Sequence, residues 1–184
     1  MFVAVGVGWL VTRIQRPSTS LLAVLAFAPI AIPGVLLGAA IYMTYLYLPL
    51  PISGSITIMV IAYLTNYLPF SMIAMRSGIA QMHPSLEEAS LMSGATGAKT
   101  FLRVTGPLLM PAFMAGWIWL VAHVMRDMNI APVLASPENQ TIGAFLWQRI
   151  QDGNIQQFSA LSVCMVTVLL ALILTWQRMS REEG

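Results

Sequence analysis

The chain has 184 residues, 58% of them hydrophobic and only 9% charged, with a mean hydropathy of +0.77. A soluble domain carries roughly 25% charge, so these values exclude one and predict an integral membrane protein. The net charge of +2 comes from a few basic residues set between apolar runs, which speaks about topology and gives no support for nucleic-acid binding.

Residues 1–12 are apolar but short of the about 20 residues needed to cross a hydrocarbon core. They end in Arg13 and Arg16, so charge follows the apolar run where a signal peptide places it before, and no small-residue cleavage site follows. The first segment therefore reads as truncated. Residues 20–48 form a long apolar run containing Pro29 and Pro33, which predicts one kinked or tilted span with its freed carbonyls satisfied by neighbours. PLPISGS, residues 49–55, predicts a turn. Residues 56–75 make the next span and end at Arg76. A polar stretch follows, then a span at 107–125, a mixed segment at 126–156, a last span at 157–176 and the tail QRMSREEG. The expected fold is an all-α, polytopic membrane bundle of about five transmembrane segments, the first truncated, forming a single domain over 1–184. Within it lie a loop at 77–106 and a second at 126–156.

Charge orients this bundle. With Arg13 and Arg16 cytoplasmic, alternation places Arg76, Lys99, Arg103, Arg178 and Arg181 on the same side, seven of the nine basic residues. Only Arg126 and Arg149 fall outside, and the positive-inside rule selects this orientation over its inverse. The 77–106 loop and the C-terminus are expected to be cytoplasmic, and the 126–156 loop external.

The cytoplasmic loop contains EEASLMSGATGAKTFLRVTGPLLMP, residues 87–111. Ser85 and Glu88 have capping-box spacing, which predicts a helix start, and Pro84 stops continuation from the preceding span. Gly94 suits the left-handed residue that ends a helix, Thr96 suits the cap of a second short helix carrying Lys99, Phe101, Leu102 and Arg103, and Pro107 suits the first turn of the next span. The product is helix, glycine elbow, helix. It presents Leu86, Ala89, Leu91 and Met92 among charged neighbours, a surface for another protein's groove or for lipid headgroups.

Glu88-Ala89-Ser90, three residues, Gly94, nine residues, then Val104-Thr105-Gly106-Pro107 resembles the signature loop of ATP-binding-cassette importer permeases. That pattern is Glu-Ala-Ala, three residues, Gly, nine residues, then Ile-any-Leu-Pro. Ser90, Val104 and Gly106 depart from it, and Gly106 loosens the start of the span. The resemblance covers roughly 18–178 and implies the type I importer permease fold, with this loop as the coupling helix held in a cleft of a separate ATPase subunit. Glu87, Glu88, Ala89, Ser90, Gly94, Ala95, Lys99, Arg103 and Pro107 are then its ATPase-coupling residues. Glu88 is either a cap alone or also a partner for a basic group. The chain itself is expected to be no enzyme and to hold no cofactor, ATP and Mg belonging to the partner ATPase.

RDMNIAPVLASPENQTIGAFLWQRIQDGN, residues 126–154, resembles the matching stretch of the ferric-iron permease group through Arg126-Asp127, Ser136-Pro137 and Trp147. Glu138 stands where glycine is usual, which leaves the turn shape open. Thiamine, polyamine and phosphonate permeases share much of this pattern. The resemblance implies an external substrate-binding protein, a second permease half or copy, and a bacterial inner-membrane location. Glu138, Phe145, Trp147, Arg149 and Asp152 are the expected docking residues, with an apolar patch around Phe145 and Trp147. Arg126 and Asp127, paired charges at the end of a span, are pathway or gate candidates, as are Asn66 and Pro69, which suit an opened pore-lining helix. Tyr42, Tyr45, Tyr47, Tyr63 and Tyr67 lie in the spans without an acidic partner, which favours ferric iron over an organic cation as cargo.

Other readings are weaker. His83 and His123 lack metal-ligand spacing, and thirteen methionines, among them Met72/Met75 and Met125/Met128, suit packing better than copper, so no metal site is expected. Cys164, the one cysteine, reads as a packing residue. An intramembrane hydrolase would need a base beside its nucleophile, and a secondary transporter or channel would more often carry an ionisable residue in mid-span.

Overall fold

The computed structural model describes residues 1–14, 16–48 and 54–182, so most of the turn expected at 49–55 lies outside the described residues. Every regular element among them is helical. The α-helices are α1 (Phe2–Arg13), α2 (Pro17–Phe27), α3 (Gly34–Tyr47), α4 (Ile56–Gln81), α5 (Ser85–Met92), α6 (Gly97–Thr100), α7 (Gly106–Met125), α8 (Ala131–Leu134), α9 (Ile142–Gln151) and α10 (Ile155–Glu182). Three runs are long and apolar enough to cross a membrane: Ile56–Gln81, Gly97–Met125 and Ile155–Arg178. They become four if Pro17–Ala31 and Gly34–Tyr47 form one broken span, and α1 is a shorter apolar helix. The protein is an all-α, polytopic membrane protein.

The 20–48 run departs from the single kinked helix expected for it. Pro29 lies in a 3-10 turn, Ala28–Ala31, and Pro33 stands at the N-cap of α3 with extended backbone (φ −55°, ψ 135°). Two prolines four residues apart each remove a donor and crowd the preceding turn, so the helix stops and restarts. A single internal proline has the milder outcome: α4 continues through Pro69 and α7 through Pro111.

The chain divides into two compact units. The first comprises Met1–Ala31 and Tyr67–Trp117, the second Ile32–Asn66 and Ile118–Gly184. Lipid tails are as apolar as leucine, so burial alone does not drive span against span, and close approach through small residues takes its place. In the first unit Gly78 of α4 meets α7, where a Cβ would stand 2.8 Å from that of Ala112. Gly8 of α1 lies over Met72 and Met75, both fully buried, which bears out packing as the role of these two methionines. In the second unit Gly34 and Gly38, four apart on α3, let Asn129, Ile130 and Val133 come close. Leu37, Ile58, Met59, Ala62, Ile130 and Leu134 form the core there.

Candidate functional site

The polar segment between α4 and α7 is built as two short helices around a glycine. Helix α5 starts differently from the capping-box expectation. Pro84 is its N-cap, Ser85 is already inside it, and no side chain caps it from Ser85 or Glu88. His83 takes that part: its Nδ1 accepts the Ser85 N–H at 3.3 Å and lies 2.7 Å from Ser85 Oγ. The proline before Ser85 has helical backbone, so the serine is carried past the cap position and its hydroxyl turns back to the ring. Glu88 is thereby released from capping, is exposed, and makes no hydrogen bond or ion pair among the described residues.

The C-terminal end of α5 is a Schellman motif. Gly94 has φ +83°, its N–H reaches Leu91 O at 2.9 Å, and the Ala95 N–H reaches Ser90 O at 3.2 Å. Nothing lies within 4 Å of a Cβ built at Gly94, so glycine is required here by backbone conformation and not by space. Thr96 then caps α6, its Oγ1 accepting the Lys99 N–H at 3.4 Å. Ser90 and Thr100 join the two helices through their hydroxyls at 2.9 Å, a link the family pattern's alanine could not make.

Helix α6 runs into α7 without a break, through a π turn at Phe101–Thr105. Pro107 explains the turn: it has no N–H, and in α register its ring would collide with the carbonyl of Arg103. Widening by one residue relieves this, with the Gly106 N–H reaching back to Phe101 O. A Cβ at Gly106 would stand 2.9 Å from that oxygen, so glycine where the pattern has leucine matches the wider turn.

Within α5, rotation of about 100° per residue puts Glu87 and Ser90 on one side and Glu88, Ala89 and Met92 on the other. The inner side is bonded. Glu87 Oε2 lies 3.2 Å from Arg13 Nε, both side chains 18% exposed, and Thr105 Oγ1 donates to Glu87 Oε1 at 3.1 Å. The Arg13 Nε is close enough for an ion pair but is not aligned for a hydrogen bond, and its buried Nη2 has no hydrogen-bond partner among the described residues. The outer side is free: Met92 is 89% exposed, Leu86 and Leu91 are about half exposed, and Lys99 and Arg103 are exposed beyond them. Arg13 and Thr105 were missed in the sequence because neither has a local signal; only folding brings residues 13, 87 and 105 together.

The 126–156 segment is organised inward. Arg126 and Asp127 do not pair. Asp127 is buried and accepts the N–H groups of Asn129, Ile130 and Ala131 at 3.3, 3.0 and 3.0 Å, bracing the start of α8. Arg126 is exposed and its Nη2 lies 2.9 Å from His123 Nε2, while His123 Nδ1 meets Trp119 O at 2.9 Å and its ring stacks on Trp119. A carboxylate two residues after the span and two to four before the amides it accepts is a local capping signal, readable in the sequence. Gly143 of α9 packs directly on Asp127, where a Cβ would fall on the Asp127 carbonyl oxygen. Asn139, also buried, accepts the Ser136 N–H and donates to Ser55 O at 3.1 Å, and Ser136 Oγ donates to Gly54 O at 2.8 Å. Glu138 sits exposed in this turn without a left-handed φ, so glycine is not required there.

The docking candidates divide between faces. Phe145 and Trp147 are two apart on a helix and point to different sides, so the single apolar patch expected around them is not formed. Phe145 lies under the Arg149 guanidinium at 4.5 Å, and Arg149 Nη1 lies 3.6 Å from Asp152. Trp147 lines an open groove of about 340 Å³ with Pro132, Pro137, Gln140, Gln148 and Gln151. Asn66 is half-buried and Pro69 buried in α4, whose helix is unbroken at both. Among the described residues no three His, Cys, Asp or Glu side chains gather as a metal site.

These features define a membrane-embedded helical protein with a bonded two-helix segment between spans. Its fold matches a bacterial ABC transporter involved in the import of the acidic polysaccharide alginate, with a TM-score of 0.79 and 15% identity over 97% of this chain and 71% of the other. Residues 4–180 match the family described as binding-protein-dependent transport system inner membrane component, and the chain belongs to that family. It is 26% identical over 168 residues to the ferric transport system permease protein of Actinobacillus pleuropneumoniae, covering 91% of this chain and 24% of that one. It is likewise 26% identical over 162 residues to the putrescine transport system permease protein of Escherichia coli (85% and 57%). A Salmonella typhimurium relative named for 2-aminoethylphosphonate transport is 24% identical over 163 residues (89% and 62%). The chain thus spans less than two thirds of the length of each of these relatives.

Proposed function

We propose that this chain is the permease component of an ATP-driven importer of the bacterial inner membrane, and that α5 to α6 is its coupling helix, held in a cleft of a partner ATPase. The observation that carries this reading is the division of α5: Glu87 and Ser90 are bonded inward, while Glu88 and Met92 stand outward and unpartnered beside a Schellman elbow at Gly94. A rigid helix with a free apolar and acidic face suits insertion into another protein's groove. The basic-residue asymmetry supports a cytoplasmic position for this segment and an external one for 126–156, whose Glu138, Trp147 groove and Arg149–Asp152 pair are the proposed docking surface for a substrate-binding protein. A second permease half or copy and surrounding lipid complete the assembly. Ferric iron is the proposed cargo: it is carried within the binding protein on oxygen ligands, so the permease needs no metal cage of its own.

Co-purification tests the core of this. An ATP-binding subunit is expected to come down with the native complex, and Met92→Asp or Glu88→Lys should release it while leaving the permease in the membrane. Retention of the ATPase by both variants would remove α5 as its docking helix. Uptake of labelled ferric iron, putrescine and 2-aminoethylphosphonate by cells with and without the transporter decides the cargo. Sidedness is read in a Cys164→Ser background, Cys164 being exposed. A cysteine at Glu138 should react with an impermeant reagent from outside and one at Thr96 only after the cytoplasmic side is opened. Glu138 is the suitable outer position because Asn139 is buried.

A further inference from the structure

We propose that Arg13, Glu87 and Thr105 form the joint through which α5 moves the helices on either side of it. This rests on the coupling reading above and concerns how motion leaves the coupling helix. Helix α5 is not a segment through which force passes along the backbone alone. Its N-terminal end meets α4 through the three residues Met82, His83 and Pro84, and its C-terminal end is the exposed Gly94 elbow. Both connections are backbone turns that can bend. The side-chain link is shorter and firmer: one carboxylate, with its two oxygens on different elements, ties α5 to the end of α1 by ion pair and to the π turn that begins α7 by hydrogen bond.

The surroundings favour rigidity. Thr105 is 2% exposed, Arg13 and Glu87 have little water to compete for their charges, and the unpartnered Arg13 Nη2 leaves the guanidinium with Glu87 as its counter-ion. Removing either charge strands the other in a dry place, so the link breaks as a unit. It also ends where the helix is widened, because Thr105 closes the π turn that Pro107 imposes. A pull on Glu87 is therefore delivered to the part of the 97–125 run whose hydrogen-bond register is already altered. Arg13, Glu87 and Thr105 act here as positioning residues.

The test uses the complete transporter with its ATPase and binding protein in lipid nanodiscs, in a Cys164→Ser background. Spin labels are attached at cysteines replacing Phe2 on α1 and Ser93 at the end of α5, both exposed and neither on the face offered to the ATPase. With Glu87 in place, trapping the complex with ATP and vanadate should leave the distance between the labels unchanged, because α1 follows α5. In Glu87→Gln the same trapping should change that distance, and stimulation of ATP hydrolysis by the binding protein should fall at least about fivefold. Thr105→Val, which keeps the side-chain shape, should move both readouts in the same direction by less. Exchanging the charges, Arg13→Glu with Glu87→Arg, should restore the fixed distance, which a loss of general stability would not predict. A fixed distance and full stimulation in Glu87→Gln and Thr105→Val overturn the joint and leave the importer reading standing. Failure of the unaltered chain to hold an ATPase overturns both.

Discussion

Two of the segments that link spans in this chain differ in how many of their charged groups they leave free. Between α4 and α7, Glu88, Lys99 and Arg103 are exposed, and helix α5 contains no buried residue. In the 126–141 segment, Asp127 and Asn139 are buried and spent on backbone groups of their own unit. Buried backbone amides must find acceptors, so a loop that packs inward consumes its polar side chains as struts. A segment that leaves them outward has surface to offer a partner. The comparison teaches that charge in a membrane protein's loop is no guide to its use until the partners of each carboxylate are known. Asp127, expected at a gate, braces a turn, and Glu87, expected like Glu88 to contact the ATPase, is bonded within the chain.

Substitutions at the two segments should therefore read out in different assays. The largest loss of stability is expected for Gly143→Ala, where the added Cβ coincides with the Asp127 carbonyl oxygen and backbone must shift. A cost of about 3 kcal/mol is expected from such overpacking, visible as a lower melting temperature in detergent. An unchanged melting temperature would remove the close contact of α9 with the Asp127 backbone.

Asp127→Ala comes next. Three amides lose their acceptor, two of them around buried Ile130 and Ala131, and a loss of about 2 kcal/mol follows. Asp127→Asn keeps one acceptor oxygen and should recover part of this. Equal losses in the two variants would point to charge, and the gate role would return.

Gly94→Val has the smallest expected effect on stability and the largest on transport. Its side chain meets open space, so the cost is the left-handed backbone alone, about 1–2 kcal/mol and local to the elbow. Membrane levels should stay near normal while uptake and transport-stimulated ATP hydrolysis fall. Normal uptake would separate the elbow from coupling and end the contrast between the two segments.

Much of this architecture is present in the sequence because it rests on local chemistry. Apolar runs fix the long helices, since a span must satisfy its own backbone. Gly94 marks a left-handed residue and Thr96 a cap, because those conformations depend on a few neighbouring atoms. The spacing from Glu88 to Pro107 carries the family, and its match over residues 4–180 bears that out. Local rules also misled where two competed: Ser85 had the spacing of a cap, but Pro84 took the position and His83 the hydrogen bond. Phe145 and Trp147 were near in sequence, yet a two-residue step on a helix turns them apart.

What folding alone decided is which polar groups meet. Arg13 and Thr105 lie 74 and 18 positions from Glu87, and Ser136 and Asn139 lie more than 80 from the carbonyls of Gly54 and Ser55 they bond. No periodicity or spacing announces such pairs, because their partners are set by the packing of helices through glycines at 8, 34, 38 and 78. The sequence thus determines where helices begin, bend and end, each being the outcome of forces a few residues long. The tertiary structure determines whether a carboxylate is a strut, a joint or a free contact, because that depends on which distant donor the packed helices bring within reach.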